Sequence, residues 1–140
     1  MAAHATTAAP ATDRRTVHRV LWGFQIVLGL FLVIASASPK FAGQKDAVET
    51  FTKIGWGDWF MYVTGAVELA GGIGLLVPRL AGAAATGLIG VMTGAIIAQC
   101  TALDAPELAV LPAVMGVIFA VIAWKRRTET RDLVRRVTGR

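Results

Sequence analysis

The chain has few of the residue types on which soluble enzymes and disulfide-stabilised domains depend. Only 16% of its 140 residues are charged, whereas 55% are hydrophobic. A soluble domain of this length has too little interior to hide so much apolar surface. The single cysteine, Cys100, excludes an internal disulfide and a CxxC dithiol. The composition therefore indicates a membrane protein.

Several kinds of catalytic and cofactor site are also missing from the sequence. The two histidines, His4 and His18, lie outside the apolar segments, which excludes a haem held by two histidines. There is no carboxylate and histidine cluster for a metal, no glycine loop for a phosphate and no Ser/His/Asp set. We predict no catalytic residue, no metal and no intrinsic cofactor. Whether the chain is an enzyme stays open, but we expect no catalysis by the chain alone.

The net charge of +5 raises the question of a nucleic-acid partner. The basic residues flank apolar segments and do not form a groove or a patch interleaved with aromatic residues. We therefore exclude nucleic acid and predict the lipid bilayer as the main partner of the chain.

The hydrophobic residues are concentrated in four segments of spanning length, ~20 residues each. Only Pro78 and Arg79 separate the second segment from the third, which predicts a tight hairpin. Pro112 should kink the fourth helix or leave a carbonyl free. We predict an all-α fold, a polytopic membrane four-helix bundle, whose spans are approximately 18–38, 58–78, 80–102 and 107–124.

Basic residues mark one side of the predicted bundle. Eleven of the fourteen lysines and arginines precede the first span, separate the second from the third, or follow the fourth. By the positive-inside rule both termini lie in the cytoplasm. This divides the chain into a flexible cytoplasmic tail (1–13), a membrane domain (14–124) and a basic cytoplasmic tail (125–140). The basic tail is either a helix on anionic lipid or a solvated extension. A cleaved signal peptide ending at Ala35-Ser36-Ala37 is the alternative for the first span.

The loop between the first two spans, residues 41–57, has a helical pattern of its own. Ala47, Phe51 and Ile54 lie at i, i+4 and i+7, and charged residues cover the opposite side. This predicts a short amphipathic helix at the interface, ended by Gly55.

Small residues recur on two spans at the spacing of a packing face. Gly82, Gly90 and Gly94 follow a four-residue repeat in the third span, and Gly65 and Gly72 share a face of the second. We expect these two spans to pack along these faces, because small residues let backbones approach closely. Two alternatives stay open: glycine is common in membrane helices generally, and the GxxxG of the third span could serve self-association into a homo-oligomer.

A lone carboxylate, Glu68, lies in the middle of the apolar run GAVELAGGIGLLVP, residues 65–78. Counting along the helices places Glu68 ~15 Å from the outer boundary and Gln25 ~12 Å from the inner one, so the two side chains can meet. Carboxylates inside a membrane normally face the bundle and serve a purpose. Glu68 is therefore either a group that orients a ligand or handles a proton, or a polar clamp between helices.

Four further residues complete the candidate ligand-binding set. Thr93 and Met115 lie within a turn or two of the level of Glu68, whereas Lys40 and Gln99 lie at the outer ends of the first and third spans. Because of this difference in depth we do not expect a direct salt bridge between Lys40 and Glu68. The simplest role for Lys40 is to extend towards the lipid head groups.

Several of these residues carry a family resemblance, which is strongest over residues 40–95. A lysine after the first span, an F…G…DW…Y run and the pattern G..E..GGIGLL.PR resemble the DoxX-like family of small bacterial four-helix membrane proteins. Lys40 and Glu68 match the charged positions of that family. Many members place a histidine near the end of the third span, where this chain has Gln99 and Cys100. The resemblance implies the bacterial cytoplasmic membrane and a link to thiosulfate:quinone oxidoreduction or to other membrane redox and stress complexes.

Three functional hypotheses follow. The chain is an accessory membrane subunit that holds a quinone-like or other lipophilic molecule near Glu68, with a soluble or membrane redox partner. Alternatively, it is a scaffold without a ligand, or a small transporter or proton pathway. The small number of polar residues counts against a continuous aqueous path.

Overall fold

The computed structural model describes residues 11–139, and every element in that range is helical. Most of the predicted flexible tail, residues 1–10, lies outside the described residues, whereas residues 11–13 belong to the first helix. In chain order the elements are α1 (Ala11–Leu30), a π-helical segment (Phe31–Ala37), α2 (Ser38–Phe41), α3 (Lys45–Ile54), α4 (Asp58–Leu76), α5 (Ala81–Thr101), a 3-10 turn (Pro106–Ala109), α6 (Val110–Lys125) and α7 (Arg127–Thr138).

Within the described residues, four helical stretches are long and apolar enough to cross a membrane. The first span combines α1, the π-helical segment and α2, and it is longer at both ends than predicted. The prediction of an all-α polytopic bundle is confirmed. The four stretches are Asp13–Phe41, Asp58–Leu76, Ala81–Thr101 and Pro106–Lys125.

The connections define the two ends of the bundle. The end with α3 and the loop before α6 is called the α3 end, and the end with the α4–α5 turn and α7 is called the α7 end. The predicted amphipathic helix is present as α3. It stops at Gly55, whose φ of 82° is left-handed and whose N–H donates to Phe51 O at 3.1 Å. Phe51 is buried, and its ring meets that of Phe60 on α4 edge to face at 5.7 Å.

Each span packs mainly against its neighbour in the sequence: the first span on α4, α4 on α5, and α5 on α6. Lipid supplies no hydrophobic drive between helices, so close van der Waals packing holds such a core together. The core lies where side chains from all four spans meet, and its largest members are Leu32, Leu75, Leu88, Met92, Met115, Phe119 and Ile122.

The second and third spans pack on each other as predicted, but the α4 face with Gly65 and Gly72 packs against the first span and not against α5. A Cβ built at Gly72 would lie 2.9 Å from Gly29 O, and one built at Gly65 would lie 3.3 Å from the Cβ of Lys40. The contact between α4 and α5 uses other glycines. A Cβ at Gly71 would lie 2.6 Å from Leu88 Cδ2, and one at Gly74 would lie 2.7 Å from Ala84 Cβ. Hydropathy does not distinguish these faces, because α4 is apolar on nearly all sides.

The predicted packing glycines of α5 also have different surroundings. Gly82 packs against Thr130 and Arg126 at the junction of α6 and α7. At Gly90 and Gly94 a Cβ would meet nothing within 4 Å among the described residues. Among the described residues, no neighbouring helix therefore approaches the open side of these two glycines.

Pro112 and Pro39 lie at positions where a proline disturbs helical hydrogen bonding little. Pro112 lies in the first turn of α6, where a missing N–H loses no bond within the helix, and α6 continues to Lys125. The predicted kink or free carbonyl at Pro112 stays a prediction. Pro39 follows the π-helical segment, in which Ser38 N–H bonds Val33 O, five residues back. The π-helical segment thus ends three residues before Lys40.

The basic tail is helical from Arg127 to Thr138. Val134 and Val137 on this helix are exposed. Its contact with anionic lipid stays a prediction.

Candidate functional site

A buried ion pair joins the first span to α4. Lys40 Nζ lies 2.7 Å from Glu68 Oε2, and the two side chains are only 14% and 7% exposed. The contact is an ion pair without hydrogen-bond alignment, because Glu68 Oε2 has no aligned donor among the described residues. Lys40 Nζ directs its hydrogen bonds to Ser36 O at 2.9 Å and to Ser36 Oγ at 3.3 Å.

The expectation that Lys40 and Glu68 would not meet was wrong, and the reason is the direction of the lysine side chain. Side chains on a helix tilt towards its N-terminus, so Lys40 extends back into the bundle. The bare backbone of Gly65 lets it cross α4, since a Cβ there would lie 3.5 Å from Lys40 Cδ. Gly65 and Glu68 are three residues apart on the same face, so the lysine that crosses one reaches the other.

Next to this ion pair lies a cavity of about 800 Å³ between α3, α4 and α5, which Lys40 and Glu68 both line. Gln99 on α5 lines the same cavity, and its Oε1 is buried without a hydrogen-bond partner among the described residues. A buried polar atom without a partner needs an explanation, and a group bound in the cavity would supply one. Most of the remaining wall is apolar or glycine.

Aromatic side chains line the α3 end of the cavity. Phe51, Trp56 and Phe60 all line it, and the rings of Trp56 and Phe60 lie 4.8 Å apart. Lys40 Nζ lies 5.9 Å from the centre of the Phe51 ring, within the range of a cation–π contact. The rings at this end come from α3, from the loop that follows it and from α4.

Gln25, which was expected at Glu68, belongs to a second polar cluster at the α7 end. Its Nε2 donates to Leu75 O at 2.9 Å, and its Oε1 accepts from Arg126 Nε at 2.7 Å. Arg126 is 5% exposed, donates to Glu129 at 3.0 and 3.1 Å, and lies 5.5 Å from the ring of Trp22. Leu75 lies seven residues beyond Glu68 on α4, about 10 Å along the helix. Gln25 thus contacts α4 two turns away from the expected partner.

Two further predicted site residues, Met115 and Thr93, lie outside the cavity wall. Met115 is buried in the core, and Thr93 is exposed and bonds Ile89 O of its own helix at 2.8 Å. Neither residue is part of the cavity wall as the described residues form it. Of the six predicted ligand-binding residues, the structure brings together Lys40, Glu68 and Gln99.

The sequence does not reveal the roles of Phe51 and Arg126. The helical pattern places Phe51 on the apolar face of α3, but it gives no sign that this ring lines a cavity. Arg126 lies in a run of basic residues, which hides the single buried arginine among its solvated neighbours. No cluster of three or more metal-ligating side chains occurs in the described part of the chain.

In the described residues, four apolar spans around a core, with a cavity lined by a buried ion pair, define a polytopic helical membrane protein. The sequence profile of the DoxX-like family matches residues 24–123. The chain belongs to the DoxX-like family. Comparison with curated proteins gave no match, and comparison with solved structures gave none either.

Proposed function

We propose that this protein is an accessory subunit of a membrane redox or stress system and holds a quinone-like lipophilic molecule in the cavity between α3, α4 and α5. Its proposed location is the bacterial cytoplasmic membrane, with both termini in the cytoplasm. The observation that carries the proposal is the cavity itself, which combines apolar walls with Lys40, Glu68 and the unpaired oxygen of Gln99.

The size and lining of the cavity suit a small lipophilic ligand. Ligand cavities typically measure 300–1,000 Å³, with mostly apolar walls and a few polar groups that fix orientation, and this cavity measures about 800 Å³. Its polar groups offer both donors and acceptors. The Lys40 ammonium and the Gln99 amide nitrogen can donate to a carbonyl of a quinone, and the Glu68 carboxylate and Gln99 Oε1 can accept from a hydroxyl group.

The transport hypothesis has less support than ligand binding. Gln25 contacts α4 at Leu75, about 10 Å along the helix from Glu68. Leu32, Leu75 and Leu88 belong to the buried apolar core, and charged solutes cross an apolar region at high cost.

The scaffold hypothesis draws on the ion pair. Lys40 and Glu68 neutralise each other, so the pair could act as a clamp between the first span and α4 without any ligand. The unpaired oxygen of Gln99 favours ligand binding, because a clamp between other residues leaves that atom unexplained.

Mass spectrometry of lipids that co-purify in mild detergent tests the proposal. Wild type and Thr93→Val should carry quinone; Thr93→Val is the control because it removes a polar group from the same helix outside the cavity. Gln99→Leu and the double variant Lys40→Met/Glu68→Leu should lose the quinone while remaining helical by circular dichroism. Equal quinone in all four proteins, or none in wild type after expression in quinone-rich membranes, would contradict the proposal.

A further inference from the structure

We infer that the ligand has an uncharged polar head and one long apolar tail, that the tail lies over a bare face of α5, and that the ligand reaches the cavity sideways from the lipid. The inference rests on the proposed function, because it specifies the class of molecule that the same cavity takes. The bare face consists of Gly87, Gly90 and Gly94, and is called the glycine face below.

The glycine face is open to the surroundings of the bundle. All three glycines are exposed, and a Cβ at any of them would meet nothing within 4 Å among the described residues. The opposite side of α5 supplies the core through Ala85, Leu88 and Met92. The glycines are therefore not needed for packing within the chain.

The two helices that border the cavity meet closely at one end. Near the α7 end Gly71 approaches Leu88 and Gly74 approaches Ala84 so closely that neither glycine has room for a side chain. These two pairs fix an antiparallel register, which brings Glu68 level with Val91. Beside these contacts and towards the α3 end lies the cavity, whose wall on α5 begins at Gly87 and whose wall on α4 reaches Glu68. The helices thus diverge, and the glycine face lines the space between them.

The wall on α4 that faces the lipid is also apolar. Val63 and Val67 line the cavity and are 48% and 43% exposed. A groove between these valines and the glycine face would be in contact with acyl chains in a membrane. The same cavity continues inward to Glu68 and Gln99, so a tail in the groove and a head at the polar groups would belong to one molecule.

The charges of the cavity favour an uncharged head. Lys40 and Glu68 neutralise each other at 2.7 Å, so the pair offers no net positive charge to a phosphate. The residual capacity is for hydrogen bonds, at Gln99 Oε1 above all. An amphiphile with carbonyl or hydroxyl groups on its head fits this capacity, whereas an anionic phospholipid does not.

A substitution that fills the groove tests the inference without disturbing the fold. Gly90→Leu puts a side chain into open space. Gly23→Leu is the matched control, since Gly23 on α1 is equally open among the described residues and is not part of the cavity wall. The probes are a tailless dimethoxy-methyl-benzoquinone and its decyl derivative, and binding is measured by quenching of tryptophan fluorescence, because Trp56 lines the cavity.

We expect Gly90→Leu to weaken binding of the decyl compound by about tenfold and to leave the tailless compound almost unchanged, because the added side chain overpacks only the groove. Gly23→Leu should bind both compounds as wild type does. If Gly90→Leu weakens both compounds equally, or neither, the tail does not lie on the glycine face, and the proposed function still stands.

Two other outcomes have separate meanings. If wild type binds neither compound, the proposed function fails and this inference fails with it. If wild type is a dimer by light scattering in detergent and Gly90→Leu is a monomer with unchanged affinity for the decyl compound, a second copy of the chain covers the glycine face, which overturns the inference alone.

Discussion

Lys40 of the first span and Glu68 of α4 form an ion pair at 2.7 Å, and the lysine reaches its partner by crossing the bare backbone of Gly65. A charge in a membrane interior is tolerated when it is paired. The position of each group therefore depends on the presence of the other.

Removing one member of this pair should cost more than removing both. Lys40→Met leaves the buried carboxylate of Glu68 alone, and the loss of one partner of a buried pair costs about 3–5 kcal/mol. Lys40→Met/Glu68→Leu removes the uncompensated charge and should recover much of that loss. Unfolding midpoints in mixed SDS micelles measure both effects. A double variant that is as unstable as Lys40→Met would show that the charge itself is not the cause.

The crossing of the first span and α4 should tolerate no added methyl group. A Cβ at Gly72 would lie 2.9 Å from both Gly29 O and Val33 Cγ2, so Gly72→Ala must push the two helices apart. Overpacking of this kind costs about 1–3 kcal/mol. Gly90→Ala is the matched control, since its methyl group enters open space. In the same unfolding assay, Gly72→Ala should have a lower midpoint than wild type, and Gly90→Ala should have the wild-type midpoint. Equal midpoints for the two variants would mean that the first span and α4 do not approach so closely.

The cluster around Arg126 should hold α7 against the bundle. Arg126 links Gln25 of α1 to Glu129 of α7, and hydrogen bonds to charged groups contribute about 1.5–3 kcal/mol each. Loss of one such bond in Gln25→Leu should raise the local opening of α7 by about tenfold or more.

Maleimide labelling measures this opening in a Cys100→Ser background. Thr130→Cys reports on α7, because Thr130 is partly buried against Gly82. Its labelling should accelerate when Gln25→Leu is added. Val137→Cys, at a site that is 80% exposed, should label at the same rate in both backgrounds. No acceleration at position 130 would show that α7 is held by other contacts.

The distribution of basic residues predicts the orientation in the membrane. Of the thirteen lysines and arginines in the described residues, ten lie towards the α7 end of the bundle, so the positive-inside rule predicts that this end faces the cytoplasm. Green fluorescent protein fused after residue 140 should fluoresce, and alkaline phosphatase at the same point should be inactive. Phosphatase inserted after Leu103, in the loop before α6, should be active. The reverse pattern would invert the topology.

The sequence predicts the spans and α3 well, and it fails where helix rotation matters. Long apolar segments and the spacing of Ala47, Phe51 and Ile54 are local signals, and local signals define helices. The neighbour that each face of α4 contacts is not determined by a local signal, because apolar residues and glycines occupy nearly every side of that helix. Gly65 and Gly72 were therefore assigned to the wrong neighbour.

Counting residues also failed to predict the pairing of the polar side chains. The count treated Lys40 as a point at the end of its span, whereas its side chain extends back along the helix to Glu68. The same count put Gln25 near the level of Glu68, although Leu75 and Arg126 are its partners. The depth of a residue along a helix does not say in which direction around the helix axis its side chain points. The Lys40–Glu68 pair and the Gln25–Arg126 cluster could therefore be recognised only in three dimensions.

The exposed valines on the α4 wall of the cavity, Val63 and Val67, have a consequence for how the site would be filled. If the ligand enters past them from the lipid, as proposed above, it exchanges with the bilayer and not with the surrounding water. Occupancy would then follow the mole fraction of the compound among the lipids. Diluting the cells or vesicles would leave the occupancy of the site unchanged, whereas altering the lipid composition would change it.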